Sequence, residues 1–277
     1  MNIKQTLEHA HQILLGKSST PRVDAEVLLC HSLGVSRAFL YTHATDTLAQ
    51  SQHEAFSQLL DLRHHGTPIA YLKGRKEFWS LNLNVSSATL IPRPETELLV
   101  ETTLNLLDPN EPLVILDLGT GSGAIALALA KERPRWKIHA SDISEPALTI
   151  AKANAHELQL AHIIFHQSDW FCQIPALRFD AIIANPPYLA LDDPHLCVGD
   201  LRFEPRHALV SEPSEGSDLQ RIIRHAPQYL MPQGLLLLEH GHTQHSAVQQ
   251  WLTQAQFTQT QCFHDLQQLP RVSKGVL

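Results

Sequence analysis

The chain has 277 residues, 43% hydrophobic and 18% charged, with a formal net charge of −7. That composition suits a globular protein of one to two domains with a sizeable core, and it excludes disordered and fibrous classes. The negative balance argues against a general nucleic-acid binder, whose phosphate contacts call for a basic surface.

Residues 1 to about 75 carry helical periodicity: Leu7, Ala10, His11 and Leu14, then Ala25, Leu28, Leu29 and Leu33, then Phe56, Leu59, Leu60 and Arg63. Pro21 is placed to open the second helix, and Gly16 and Gly34 to close the first two. Arg63, His64, His65, Lys73, Arg75 and Lys76 make a local basic patch on the sequence. From 76 to about 92 the pattern turns extended. Leu81, Leu83 and Val85 alternate with Asn82 and Asn84, which predicts a short hairpin.

Beyond Pro94 short apolar runs alternate with helical stretches. The runs are 113–117, 137–141, 162–166, 179–184, 234–239, 256–263 and 271–276. Helices are predicted over 95–107, 122–132, 146–158, 217–230 and 243–254, with Pro227 kinking or ending the fourth. Such alternation predicts a parallel sheet covered by helices on both faces.

Cys30, Cys172, Cys197 and Cys262 are far apart and form no C-x-x-C pair, as expected for reduced thiols of a cytosolic protein. Met1 to Gln12 is polar, and no apolar run reaches the roughly 20 residues of a membrane helix. The expectation is a soluble, cytoplasmic protein. His162 with His166 and His240 with His242 lack an acidic or cysteine partner set nearby, so no metal is expected.

Asp117-Leu118-Gly119-Thr120-Gly121-Ser122-Gly123 follows a strand and opens a helix. Glycines there allow positive φ and close approach of a ligand. Asp142, ending the next strand, is placed to accept from ribose hydroxyls. The pair points to an adenosine-containing cofactor. Gly119, Gly121 and Ala124 also fit a nicotinamide dinucleotide site. Asp117 before the turn instead favours a cofactor bearing an ammonium group, and Gly123 adds a third glycine. After the third strand, Asp169 could accept from an adenine amino group and Trp170 could pack on its ring.

Asn185-Pro186-Pro187-Tyr188 ends the fourth strand, which neighbours the glycine-turn strand across the switch point of such a sheet. The Asn185 side-chain oxygen and the Pro186 carbonyl can accept both N–H hydrogens of a planar amide-type nitrogen. Pro186 and Pro187 stiffen the backbone, and Tyr188 can stack on the flat group. The same grip suits a glutamine amide or an adenine amine, so an adenine methylase of DNA or RNA stays open at this point.

Together with Glu77-Phe78-Trp79, Ile91-Pro92-Arg93-Pro94-Glu95-Thr96-Glu97, Ser168-Asp169-Trp170, Phe203-Glu204-Pro205 and Leu238-Glu239-His240-Gly241, these motifs resemble the PrmC/HemK family of release-factor glutamine methyltransferases over nearly the whole chain. The resemblance implies an α/β fold: a doubly wound, seven-stranded Rossmann-like methyltransferase sheet with a small N-terminal helical domain. It implies a helical substrate-docking domain over 1–75, a β-hairpin linker over 76–93, and an S-adenosylmethionine-dependent methyltransferase domain over 94–277. The implied reaction methylates N5 of the glutamine in the Gly-Gly-Gln motif of class I peptide chain release factors, with S-adenosylhomocysteine as product. Implied cofactor contacts are Gly119, Thr120, Gly121, Ser122, Gly123, Asp142, Trp170 and Asn185, to which the reading of the residues themselves adds Asp117 and Asp169. Asn185, Pro186 and Tyr188 would carry catalysis, with Pro187, Arg93 and Glu95 also on the substrate. A monomer with no direct nucleic-acid or membrane partner is expected. Gln268 stands where the family often has glycine.

Overall fold

The computed structural model describes residues 1–211 and 217–277. It divides into two compact units: Met1–Arg75 with Pro194–Phe203, and Lys76–Asp193 with Glu204–Leu277. No described helix is long and apolar enough to cross a membrane.

The first unit is helical: α1 (Ile3–Leu14), α2 (Pro21–Leu33), α3 (Arg37–Thr42), α4 (Gln50–His64) and α5 (Ile69–Lys73). Asn2 and Gln5 cap α1 reciprocally, each side chain accepting from the other's backbone N–H. Pro21 begins α2, and Gly34 ends it in the left-handed conformation. Ile3, Leu14, Leu28, Leu29, Leu40 and Phe56 form its core. Arg63 departs from the basic patch expected of it. It is buried, with Nε on Asp24 at 2.7 Å and Nη1 on Asp200 at 2.9 Å. Asp24 also accepts from Ser18 and Thr20. The buried guanidinium is thus neutralised by two carboxylates, as a desolvated charge requires. Asp200 comes from the 194–203 segment, which sequence pattern had left in the second half.

The second unit begins with a two-stranded sheet, β1 (Arg75–Phe78) and β2 (Leu81–Asn84). Its two-residue turn, Trp79-Ser80, takes φ of 52° and 56° without glycine. Two carboxylates hold it there: Trp79 N–H donates to Glu97 and Ser80 N–H to Glu77. A short 3-10 turn over Pro94–Thr96 then leads into α6 (Glu97–Leu106).

β3 (Val114–Leu118), α7 (Ala124–Glu132), β4 (Lys137–Asp142), α8 (Glu145–Glu157), β5 (Ile164–Gln167), β6 (Phe179–Ala184), α9 (Asp218–His225), β7 (Leu230–Glu239), α10 (His245–Gln254), β8 (Thr258–His264) and β9 (Pro270–Val276) complete the unit. The seven-stranded sheet has the order β5-β4-β3-β6-β7-β9-β8. Side chains alternate between its faces. Ile115, Ala181 and Ile183 pack with α6, α7 and α8, whereas Leu116, Ile182 and Ala184 pack with α9 and α10. α9 ends at His225, and Pro227 lies in the 3-10 turn that follows, since its ring cannot continue an α-helix.

The expected parallel pairing holds from β5 to β7, and the far edge of the sheet departs from it. β9 runs antiparallel to both β7 and β8. The Asp265–Leu269 link is too short for the crossover a parallel pair needs. Asp265 organises that link by accepting from Gln267 N, Leu269 N and Arg271 Nε. Gln268 sits in it at φ 63°, in the left-handed region. Gln268→Gly removes that strain and raises stability by about 1 kcal/mol, to be read as a higher midpoint in urea unfolding.

Candidate active site

Strand register brings the motifs together. Leu118 of β3 lies opposite Ala184 of β6, so Gly119 and Asn185 leave their strands at one level. On the other side β4 places Ser141 opposite Leu118, and β5 places Gln167 opposite Asp142. The glycine turn, Asp142, Ser168 to Trp170 and Asn185 therefore all emerge at the carboxyl edge of four adjacent parallel strands. The switch in strand order falls between β3 and β6, where such sheets open a crevice.

The turn itself is held from two sides. Gly119 and Thr120 N–H groups both donate to Ser141 O at 2.8 Å. Asp142 accepts from Gly121 N at 2.8 Å and from Ser144 N at 2.9 Å. Burial raises the Asp142 pKa, and those bonds together with nearby His207 oppose the rise. Gly119 has φ 73°, and a Cβ there would sit 3.4 Å from the Trp170 ring. At Gly123, φ 87°, a Cβ would meet Leu127 Cδ1 at 2.9 Å. Asp117 stands beneath the turn, fully buried, and accepts from Thr120 Oγ1 at 2.6 Å. Desolvation pushes its carboxyl up to about 7, against the Thr120 bond. Ser122 and Gly123 are likewise buried behind the turn.

A cavity of about 440 Å³ opens here, within the range of small-molecule sites. Of the residues singled out from sequence, Gly119, Gly121, Asp142, Asp169, Trp170, Asn185 and Pro187 line it. Its remaining wall includes His207, Asp218 and Arg221, which sequence reasoning missed. Asp218 fixes the indole by accepting from Trp170 Nε1 at 3.0 Å, and is itself held by Ser211 at 2.9 Å. Arg221 reaches Asp169 at 3.4 Å. These two partners lie one helical turn apart on α9, and the only sequence hint is Asp218 at a helix start.

Other singled-out residues lie off the cavity wall. Pro186 is buried. Tyr188 is largely buried, and its hydroxyl is pushed up to about 12 by desolvation and then by Glu239. The Tyr188 carbonyl accepts from Gln244 at 3.1 Å. Arg93 pairs with buried Glu204, which also accepts from Ile91 N at 2.9 Å. Glu204 thus fastens the Ile91–Arg93 segment, and Glu95 is exposed. Behind the pocket, Asn185 Nδ2 donates to Thr96 Oγ1 at 3.0 Å, a contact that sequence reasoning did not foresee.

One buried amide ties the turn to the hairpin. Asn154 of α8 donates through Nδ2 to Ser122 O at 2.9 Å and to Asn84 O at 3.0 Å, and accepts from Asn84 N at 2.7 Å. Its Nδ2 and Oδ1 both have partners, as a buried amide requires. Asn154→Ala strands buried backbone groups on both segments. It lowers stability by about 2 kcal/mol, measurable by urea unfolding, and loosens the turn.

Residues 94–200 match the family described as methyltransferase small domain, and residues 5–74 match the PrmC N-terminal domain. The release factor glutamine methyltransferase of Xylella fastidiosa (strain 9a5c) is 49% identical over 255 residues, 92% of each chain. The protein of the same name from Escherichia coli (strain K12) is 46% identical over 261 residues, 94% of each. Among solved structures, a methyltransferase from Pyrococcus furiosus aligns with a TM-score of 0.51 at 14% identity, over 71% of this chain and 88% of that one, a likeness of fold alone. A glycine turn beside an Asn-Pro-Pro-Tyr strand end, and relatives this similar along almost the entire length, place the chain in the release factor glutamine methyltransferase family.

Proposed function

We propose that the protein transfers a methyl group from S-adenosylmethionine to the N5 side-chain nitrogen of the glutamine in the Gly-Gly-Gln motif of class I peptide chain release factors. The observation that carries the reading is Asn185 on the wall of the same cavity that holds the glycine turn and Asp142. The names of the relatives supply the acceptor.

The residues fit an adenosyl cofactor. Left-handed glycines keep side chains off the turn, so backbone can approach a ligand. Asp142 accepts one backbone N–H on each oxygen, which leaves lone pairs for two ribose hydroxyls. Trp170, fixed by Asp218, borders the same space as a flat apolar wall. The cofactor, when bound, supplies an electrophilic methyl group on a sulfonium; its product is S-adenosylhomocysteine.

The chain's own part is to hold the acceptor. An amide nitrogen is a weak nucleophile because its lone pair is delocalised into the carbonyl. Asn185 Oδ1 and the Pro186 carbonyl accept its two N–H hydrogens. Positive charge that develops on nitrogen during attack then meets two fixed acceptors, and the geometry is set before reaction. Pro186 and Pro187 fix the backbone that aims the carbonyl. The proton leaves after attack, so no strong base is required. Tyr188 lies beside the glutamine carboxamide, and Arg93 and Glu95 belong to the substrate side of the pocket. The helical unit contributes to docking the release factor, and the reaction belongs to the cytoplasm.

Incubation with a release factor and labelled cofactor, followed by peptide mass spectrometry, puts one methyl group on the Gly-Gly-Gln peptide and none on added polynucleotide. An unmodified peptide removes the reading. Asn185→Ala keeps most cofactor affinity and lowers kcat about 100-fold or more, by loss of an acceptor aimed at developing charge. Asp142→Ala raises the cofactor Kd about tenfold or more through two lost ribose bonds, read by calorimetric titration.

A further inference from the structure

We propose that Glu239 is a positioning residue: acting through Thr96, it dictates which end of the Asn185 side-chain amide faces the acceptor nitrogen. The inference rests on the role proposed for Asn185 above.

Register explains the juxtaposition. Ala184 of β6 lies opposite Leu238 of β7, so the next residues of both strands, Asn185 and Glu239, emerge side by side. Thr96 reaches the same point from the 3-10 turn before α6. Asn185 Nδ2 donates to Thr96 Oγ1 at 3.0 Å. Thr96 and, more weakly, Asn185 lie close enough to the Glu239 carboxyl to lower its pKa as polar neighbours. Two of the three groups are shielded, and Asn185 borders the cavity. Glu239 is 2% and Thr96 5% exposed, so both are largely removed from solvent.

The chain of bonds has a direction, and the carboxylate sets it. An ionised carboxylate only accepts. The Thr96 hydroxyl must then spend its one proton on Glu239, and its oxygen is left to accept. It accepts from Asn185, which is possible only if Asn185 turns its NH2 end toward Thr96. Asn185 Oδ1 is thereby forced to the cavity side, where the substrate N–H hydrogens need an acceptor. A flipped amide would set donor against donor at the reacting nitrogen.

Protonation reverses the logic. Glu239 Oε2 has no partner among the described residues. A proton there would be a buried donor without an acceptor, so it settles on the oxygen facing Thr96. The acid then donates to Thr96, Thr96 becomes free to donate to Asn185, and the amide loses its reason to point one way. Burial pushes the Glu239 carboxyl up to about 7, with Thr96 and Arg271 opposing the rise and Glu95 adding to it. The charged or titratable groups around it are Glu95 beside Thr96, Arg271 on β9 and Tyr188 after β6, with Arg93 acting on Tyr188 in turn. His240, next on the chain, has its pKa lowered by burial. The correct orientation is therefore enforced above about pH 7 and relaxed below it.

The test follows methyl transfer to the release factor from about pH 6 to about pH 9, a window that brackets the carboxyl titration, with wild type, E239Q, T96V and T96S. Wild-type kcat rises through about pH 7. E239Q loses that limb and runs about 10- to 100-fold below wild type at high pH, with cofactor Kd unchanged. T96V behaves alike, and T96S, which keeps the hydroxyl, recovers most of the loss. Wild-type kcat in E239Q or T96V, or an E239Q variant that keeps the acidic limb, overturns the proposal. Should E239Q fail to fold, the T96V and T96S pair decides, since neither alters charge. A second arm needs no acceptor: the Asn185 side-chain amide protons, assigned by their loss in N185A, shift through about pH 7 in the free wild type and not in E239Q. Their failure to titrate overturns the relay. Titration without transfer to glutamine overturns the functional reading and leaves the relay standing.

Discussion

The pairing of Leu118 with Ala184 is the constraint on which the site depends. Two parallel strands from opposite sides of the switch point end level with each other, and each is followed at once by a motif. A shift of one residue would turn every β6 side chain to the other face of the sheet. It would also carry Asn185 away from the glycine turn. The burial of both faces prevents that slip, because Ile182 and Ala184 belong to one apolar layer and Ala181 and Ile183 to the other. Core packing thereby sets the distance between the glycine turn and Asn185.

Around that pair a few buried polar groups fix the motifs, although one oxygen each of Asp117 and Glu239 has no partner among the described residues. Asp117 fixes the turn from below through Thr120, and Asp142 fixes it from the side through Gly121. Asn154 joins it to the hairpin, and Glu239 with Thr96 backs the Asn185 amide. Two of these carboxyls, Asp117 and Glu239, are pushed to about 7 by burial. Each lies behind a motif residue rather than on the cavity wall. The wall carries Asp142, Asp169, Asp218 and Arg221, while Asp117 and Glu239 sit one layer deeper.

Much of this was readable in the sequence, and the unread part has a common cause. Strands, helices and the two motifs follow local rules: apolar period, glycine at positive φ, proline after a strand. The hairpin, the α9 stop near Pro227 and the grouping of Gly119, Asp142 and Asn185 at one edge all follow from such rules. Glu239 looked like the end of a strand and Thr96 like a helix start, because their meaning arises only when β6, β7 and the 3-10 turn converge. Arg63 counted as a surface cation until Asp24 and Asp200, distant in sequence, enclosed it. Asn154 was one polar residue on a helix, and β9 gave no local sign of its reversed direction. Periodicity reports which face a residue takes; it does not report which distant residue will be waiting there.

The reversed strand β9 also bears on the order in which the molecule can be assembled. It lies between β7 and β8, so β8 has no partner in the sheet until β9 forms. The two must add to β7 as a hairpin, and until then the leucines of β7, from Leu235 to Leu238, present an unpaired edge, the kind of surface that invites aggregation. Glu239 pairs with Val272 of β9, and His240 reaches Ser273 on the same strand at 2.9 Å. The carboxyl behind Asn185 is enclosed only when this final hairpin docks. On the roles proposed for Asn185 and Glu239, a chain stalled before that step holds the glycine turn but does not aim its asparagine, so competence for methyl transfer arrives with the last hairpin.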